Sequence, residues 1–177
     1  MNMIGLRMLL VVLFAGTTLS ACSFFAPFAT CEGTESAVAN LNGLPALDLR
    51  PERATALDGG LAAQAHCTED SGDAYLIAER LYSYDGTREE VLEYYGREAP
   101  AAGWRPVGRL ATGPDHRIAV FCFESGDRPS IVLAFESPED LREFYGVEPG
   151  PAPGGPGSRI WFRWSAEAAT DGSRIDC

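Results

Sequence analysis

The chain of 177 residues predicts a two-layer α+β domain: a mostly antiparallel sheet of about five strands, one main helix packed on one face, and a short second helix. Three observations predict it. Ala74 to Tyr84 alternates like a half-buried strand, with Leu76, Ala78, Tyr82 and Tyr84 on one face and Tyr75, Ile77 and Leu81 on the other. Behind it, Thr87 to Ala102 repeats apolar residues at helical spacing. Four further apolar runs follow, separated by Gly, Pro and Asp punctuation.

Taken in order, Thr34 to Leu41 reads as one or two helical turns stopped by Asn42-Gly43. Leu44 to Gly60 carries two prolines and reads as ordered coil with a short strand at Ala54 to Leu57. Thr68 to Asp73 reads as an acidic loop before the strand Ala74 to Tyr84. Thr87 and Glu90 form a Thr-x-x-Glu capping box, each side chain satisfying an orphan backbone N–H. Val91, Leu92, Tyr94, Tyr95, Ala99 and Ala102 then make one apolar face. Gly96 costs this helix about 1 kcal/mol relative to Ala. Pro100 is expected to kink or end it near Glu98, with Gly103 closing the segment. Trp104 to Leu110, Arg117 to Glu124 and Ser130 to Glu136 read as strands. Ser137-Pro138 starts a short helix that ends at Gly146. Nine of the thirteen residues from Gly146 to Ser158 are Gly or Pro, which makes that stretch an extended loop. Arg159 to Ala166 is the last strand, and Glu167 to Cys177 a tail. Thr87 to Gly96 and Ser137 to Gly146 echo one another, as two capped amphipathic helices or a duplicated strand–helix unit would.

Composition excludes some classes of function. Apolar residues make up 46% of the chain and charged ones 22%, which rules out wholesale disorder. The formal net charge of −11 argues against a nucleic-acid partner, since phosphate neutralisation needs a basic surface. All 14 basic residues are Arg, a pattern read as coding bias rather than as a binding signal.

The N-terminus reads as an address. Arg7 supplies a positive start, and Met8 to Ala15 form an apolar run far too short to span ~30 Å of hydrocarbon. Leu19-Ser20-Ala21-Cys22 then resembles a lipobox, the processing motif of bacterial lipoprotein precursors. The resemblance implies a diacylglyceryl group on the Cys22 sulfur, cleavage between Ala21 and Cys22, and acylation of the new amino group. Two acyl chains hold a protein on a bilayer where one does not, at about 0.8 kcal/mol per buried CH₂. The organisation expected is a signal peptide at 1–21, a lipidated tether at 22–30 and one domain at 31–177. The tether, with Phe24, Phe25 and Phe28, reaches at most ~30 Å, which keeps the domain near the extracytoplasmic face of the cell membrane. The run from Tyr82 to Val107 resembles small uncharacterised actinobacterial lipoproteins, in residues that carry packing rather than chemistry.

Setting Cys22 aside leaves Cys31, Cys67, Cys122 and Cys177, an even number that in an exported domain implies two disulfides with three connectivities open. The strand reading favours Cys67–Cys122, at one end of the sheet, with Cys31–Cys177 tying the chain ends together.

Signatures of catalysis are missing from the sequence. No Gly-x-Ser-x-Gly elbow, His-Glu-x-x-His or phosphate-binding glycine loop follows any strand, so no catalytic residue and no cofactor is assigned. His66 neighbours a cysteine expected to be oxidised, and His116 sits in a turn-like stretch. Glu69, Asp70 and Asp73 are a weak candidate for Ca²⁺, since hard cations want clustered oxygens. In the last strand Ile160, Phe162 and Trp164 share one face and Arg159, Trp161 and Arg163 the other. An outward Trp161 flanked by two guanidiniums would suit a sugar ring, a partner's aromatic side chain or a lipid headgroup. The expected function is a non-catalytic binding or accessory domain anchored at the cell envelope, serving an envelope protein or ligand. The alternative is a small envelope hydrolase using surface carboxylates or His116.

Overall fold

The computed structural model describes residues 29–58, 64–110, 120–150 and 159–177. Among these, seven strands form one sheet: β1 (Ala54–Ala56), β2 (His66–Asp70), β3 (Asp73–Tyr84), β4 (Arg105–Leu110), β5 (Val120–Ser125), β6 (Arg128–Glu136) and β7 (Ile160–Ala169). Three α-helices accompany them: α1 (Glu35–Asn42), α2 (Arg88–Ala101) and α3 (Pro138–Tyr145). The strand order is β1-β3-β7-β6-β5-β4, with β2 beside β3 as well, and every neighbouring pair is antiparallel. β1 and β2 therefore lie end to end along the free edge of β3, against Tyr82–Tyr84 and Asp73–Ile77 respectively. The α+β class and the antiparallel sheet are as expected, but the sheet has seven strands rather than five. β4, β5 and β6 form a meander, and the last strand in sequence inserts at the centre of the sheet, between β3 and β6.

The main core lies on the face that carries Leu76, Ala78, Tyr82 and Tyr84 of β3, Ile131, Leu133 and Phe135 of β6, and Phe162, Trp164, Ala166 and Ala168 of β7. α2 covers it through Val91, Tyr95 and Ala99, and α1 through Leu41. Trp164 is fully buried, stacked on Tyr95 at 4.1 Å and met edge-on by Phe123 at 5.5 Å. Its Nε1 donates to the Ala46 carbonyl at 2.7 Å, and the Tyr95 hydroxyl donates to the Leu49 carbonyl at 2.9 Å. Two buried aromatic donors thus hold the segment read as coil, which includes a 3₁₀ turn at Pro45–Asp48. Burial of those rings is affordable only because each polar tip finds a carbonyl.

α2 begins as its sequence requires: Thr87 accepts from the Glu90 N–H, and Glu90 accepts from the Thr87 N–H. Thr87→Ala is expected to cost about 1 kcal/mol, read as a lower urea midpoint with an unchanged m-value. Pro100 does not end the helix near Glu98; the helix runs on to Ala101. The proline sits exposed in the last turn, where its only backbone demand is one missing N–H. The turn closes as a Schellman motif, with Trp104 N–H on the Ala99 carbonyl, Gly103 N–H on the Pro100 carbonyl, and Gly103 at φ +90°.

The acidic loop expected at Thr68 to Asp73 is instead a tight hairpin. Asp70 pairs with Asp73 across Ser71-Gly72, both of which have positive φ (52° and 95°), the geometry that two-residue hairpin turns demand. The expected cysteine pairing is also corrected: Cys31 bonds Cys67, and Cys122 bonds Cys177, with Cα separations of 5.6 and 6.1 Å. Cys67 lies on edge strand β2, four strands from Cys122 on β5, or about 19 Å across the sheet. The two also point to opposite faces, since Cys67 is registered with Leu76 and Cys122 with Val132 and, through it, Ser165. Each bridge closes a local end: one holds the segment before α1 to β2, the other holds the C-terminal tail to β5. In the chain-entropy view their separations of 36 and 55 residues correspond to about 4 kcal/mol each.

Candidate functional site

The sheet face turned away from α2 carries the polar chemistry. At its centre the Arg163 guanidinium meets three carboxylates: Nη1 lies 2.7 Å from Glu79 and 4.0 Å from Glu167, and Nε lies 3.2 Å from Glu136. The register explains the meeting. Arg163 is paired with Leu81 on β3 and Ala134 on β6, so Glu79 and Glu136 each sit two residues along from its direct partners, on the same face. Nη1 also donates to Ser165 Oγ at 3.4 Å, and the Tyr145 hydroxyl from α3 donates to Glu136 Oε1 at 3.5 Å.

These groups are withdrawn from water. The side chains of Glu79 and Glu136 are only 8% and 7% exposed. Burial pushes the Glu136 carboxyl above its ordinary range against the opposing pull of Arg163, and Glu167 rises for the same reason. Burial also raises the Tyr145 hydroxyl. Burial by itself would lower the Arg163 pKa, yet Tyr145, Glu79 and Glu136 together raise it, so the guanidinium stays charged.

Trp161 lies beside this cluster, registered between Ser83 and Glu136. The alternation read from the sequence holds, but Trp161 is not a free platform. Together with Leu57 and Tyr145 it packs on Leu81, Leu141 and Val147, a second small core that α3 builds on this face. Its Nε1 is buried and has no hydrogen-bond partner among the described residues. Nor do Arg159 and Arg163 flank it as a pair: Arg159 reaches Asp85 at 2.7 Å, while Arg163 turns into the carboxylates. The hydrogen bond from Arg159 holds the Asp85 carboxyl below the usual range.

What brings α3 here is local. Ser137 caps it by accepting from the Asp140 N–H, Pro138 opens its first turn, and Gly146 takes the left-handed conformation (φ 63°) that turns Val147 back to the Leu141 carbonyl. The exposed face of α3 carries Phe144, 67% accessible.

At the far end of β3, a groove of about 410 Å³ lies between the segment Pro51–Arg53 and the first turns of α2. There Arg53 contacts the Tyr84 hydroxyl, the Asp85 carbonyl and Glu90, and lies 4.8 Å from the Tyr84 ring centroid. Glu90 is held below the usual carboxylate range, first by the Thr87 N–H and then by Arg53.

Of the other residues singled out by sequence, Glu69 is engaged elsewhere, accepting from the Cys31 N–H at 2.6 Å. It lies on the opposite face of the hairpin from Asp70 and Asp73. No group of three or more His, Cys, Asp or Glu residues placed to hold a metal occurs among the described residues. His66 faces the Gln64 carbonyl through Nδ1 at 3.1 Å, and its neighbour Cys67 is oxidised. Ala21, Cys22 and His116 lie outside the described residues.

Glu79, Glu136, Glu167 and Tyr145 escape sequence reading as site residues. The one available signal is Glu79 standing between Ile77 and Leu81 on the second face of β3, a charge among apolar residues, with Arg163 on the corresponding face of β7. Compared with known proteins, the chain matches no protein-family model, no curated protein and no solved structure.

Proposed function

We propose that the chain is a membrane-anchored lipoprotein whose disulfide-stapled α+β domain binds or assists another component of the cell envelope at the extracytoplasmic face. One observation carries the reading. Of the five cysteines, four pair with one another in two disulfides, so the remaining one is Cys22, the residue that ends the lipobox-like Leu19-Ser20-Ala21-Cys22. Paired cysteines belong to an oxidising compartment, and an unpaired cysteine behind an export signal is what thioether lipidation uses. None of the helices among the described residues is long and apolar enough to cross a membrane; in this reading the attachment is the lipid on Cys22. Glu79 and Glu136, two carboxylates gathered on one sheet face, are buried and engaged by Arg163, which favours binding over turnover at that cluster.

In cells the chain is expected in the membrane fraction, with an intact mass showing loss of residues 1–21 and gain of a diacylglyceryl group. Cys22→Ser should abolish the lipid mass and acyl labelling and release the chain from the membrane. Unchanged processing and retention of that variant would overturn the proposal.

A further inference from the structure

The charge count around Arg163 does not balance. Among the described residues, one guanidinium serves three carboxylates, Glu79 from β3, Glu136 from β6 and Glu167 from β7. From α3 the cluster is faced by the Tyr145 hydroxyl and, more remotely, by Asp140. With every carboxyl ionised, the face carries two uncompensated negative charges in a place where Glu79 and Glu136 are almost fully withdrawn from solvent. Like charges held this close in a poorly hydrated site cost several times what they would in water. The remedy available to carboxyls is a proton.

We propose that these groups form a proton-accepting clasp: in mild acid Glu136 or Glu167 takes up a proton from solvent, removes like-charge repulsion around Arg163, and tightens the packing of β3, β6, β7 and α3. Glu136 sits at the junction, because its Oε1 receives both Arg163 and Tyr145 and thereby links the sheet to α3. Glu167 is the more accessible of the two, 31% exposed and 4.0 Å from the guanidinium. It has the least to lose in hydrogen bonding when neutralised. Burial shifts both carboxyls upward, so the folded chain binds protons that the unfolded chain has already released. The sign follows. Stability from this cluster rises as pH falls through the folded carboxyl pKa toward the unfolded value near ~4.3. Below that range Asp85, Glu90 and Asp171, all held low, begin to lose their partners, so stability declines again. The inference does not depend on the lipid anchor.

The test is thermal unfolding of the full chain in detergent from pH 5 to pH 7.5, wild type against Glu167→Gln, Glu136→Gln and the exposed control Glu143→Gln on α3. Glu167→Gln is expected to melt about 3 °C above wild type at pH 7.5 and to lose that advantage progressively as pH falls toward 5, because the wild type then takes up the proton itself. Glu136→Gln should likewise flatten the pH profile, whatever its absolute midpoint. Glu143→Gln should run parallel to wild type, which separates the clasp from general relief of surface charge. Profiles of both Glu136→Gln and Glu167→Gln that parallel wild type would overturn the proposal. A second readout needs no variant. Calorimetric unfolding of wild type near pH 6, in buffers of different ionisation enthalpy, should show protons released on unfolding. Absence of release would equally refute it.

Discussion

Trp164→Ala is expected to destabilise the domain by about 4 kcal/mol, near the upper end for a single core truncation. The side chain is fully buried in the middle of β7, the strand that joins the two halves of the sheet. Its ring fills the space between Tyr95 of α2 and Phe123 of β5, so removal opens a cavity spanning the helix layer and the sheet. Removal also strips the Ala46 carbonyl of its donor. Urea unfolding would read the loss as a lower midpoint with an unchanged m-value. Trp164→Phe should recover most of the packing but not the hydrogen bond, for a loss of about 2 kcal/mol. A phenylalanine variant as unstable as the alanine one would assign the ring's role to the indole N–H rather than to volume.

Arg163→Met is expected to cost about 3–5 kcal/mol at neutral pH, the penalty for leaving buried carboxylates without their counter-charge. The thioether chain fills similar space, so the deficit measures charge more than shape. Its pH dependence is diagnostic. Without the guanidinium, Glu79, Glu136 and Glu167 repel one another, and Glu136 and Glu167, already raised by burial, prefer their neutral forms more strongly. The deficit relative to wild type should therefore shrink as pH falls from 8 to about 5, where protonation relieves the variant. A deficit constant across that window would mean that Arg163 acts through packing alone. Combining Arg163→Met with Glu79→Gln and Glu136→Gln should restore much of the loss, since a neutral polar set needs no counter-ion.

Much of the local structure was legible because its causes are local. The capping box at Thr87–Glu90 and the Ser137 cap depend on residues three apart, and both form; Asp140 in addition completes a second box at Ser137. The alternation in β3 and β7 assigned each side chain to the correct face, since a strand's period is a property of its backbone. Three expectations failed where the cause was distant or finely local. The Thr68 to Asp73 stretch looked like a loop because its acids mask a hairpin whose turn is made by two positive-φ residues. Pro100 reads as a kink or an end near Glu98, yet the helix runs on to Ala101 because a last-turn position tolerates proline. Cys67 was paired with the wrong partner because pairing depends on strand order, which no spacing encodes.

The candidate site shows the same division. That Arg163 and Trp161 share a face was readable from alternate positions along one strand. That Arg163 lies among Glu79, Glu136 and Glu167, and that Trp161 lies against Leu141 and Val147, required β7 to be inserted between β3 and β6 and α3 to fold onto their outer face. Sequence alone determined most of the local elements and which strand residues share a face, because these depend on neighbours within a few residues. The tertiary structure alone decided the disulfide partners and the crowding of three carboxyls on one guanidinium. Those follow from which strands lie side by side, a choice made by the burial of the whole core rather than by any segment of it.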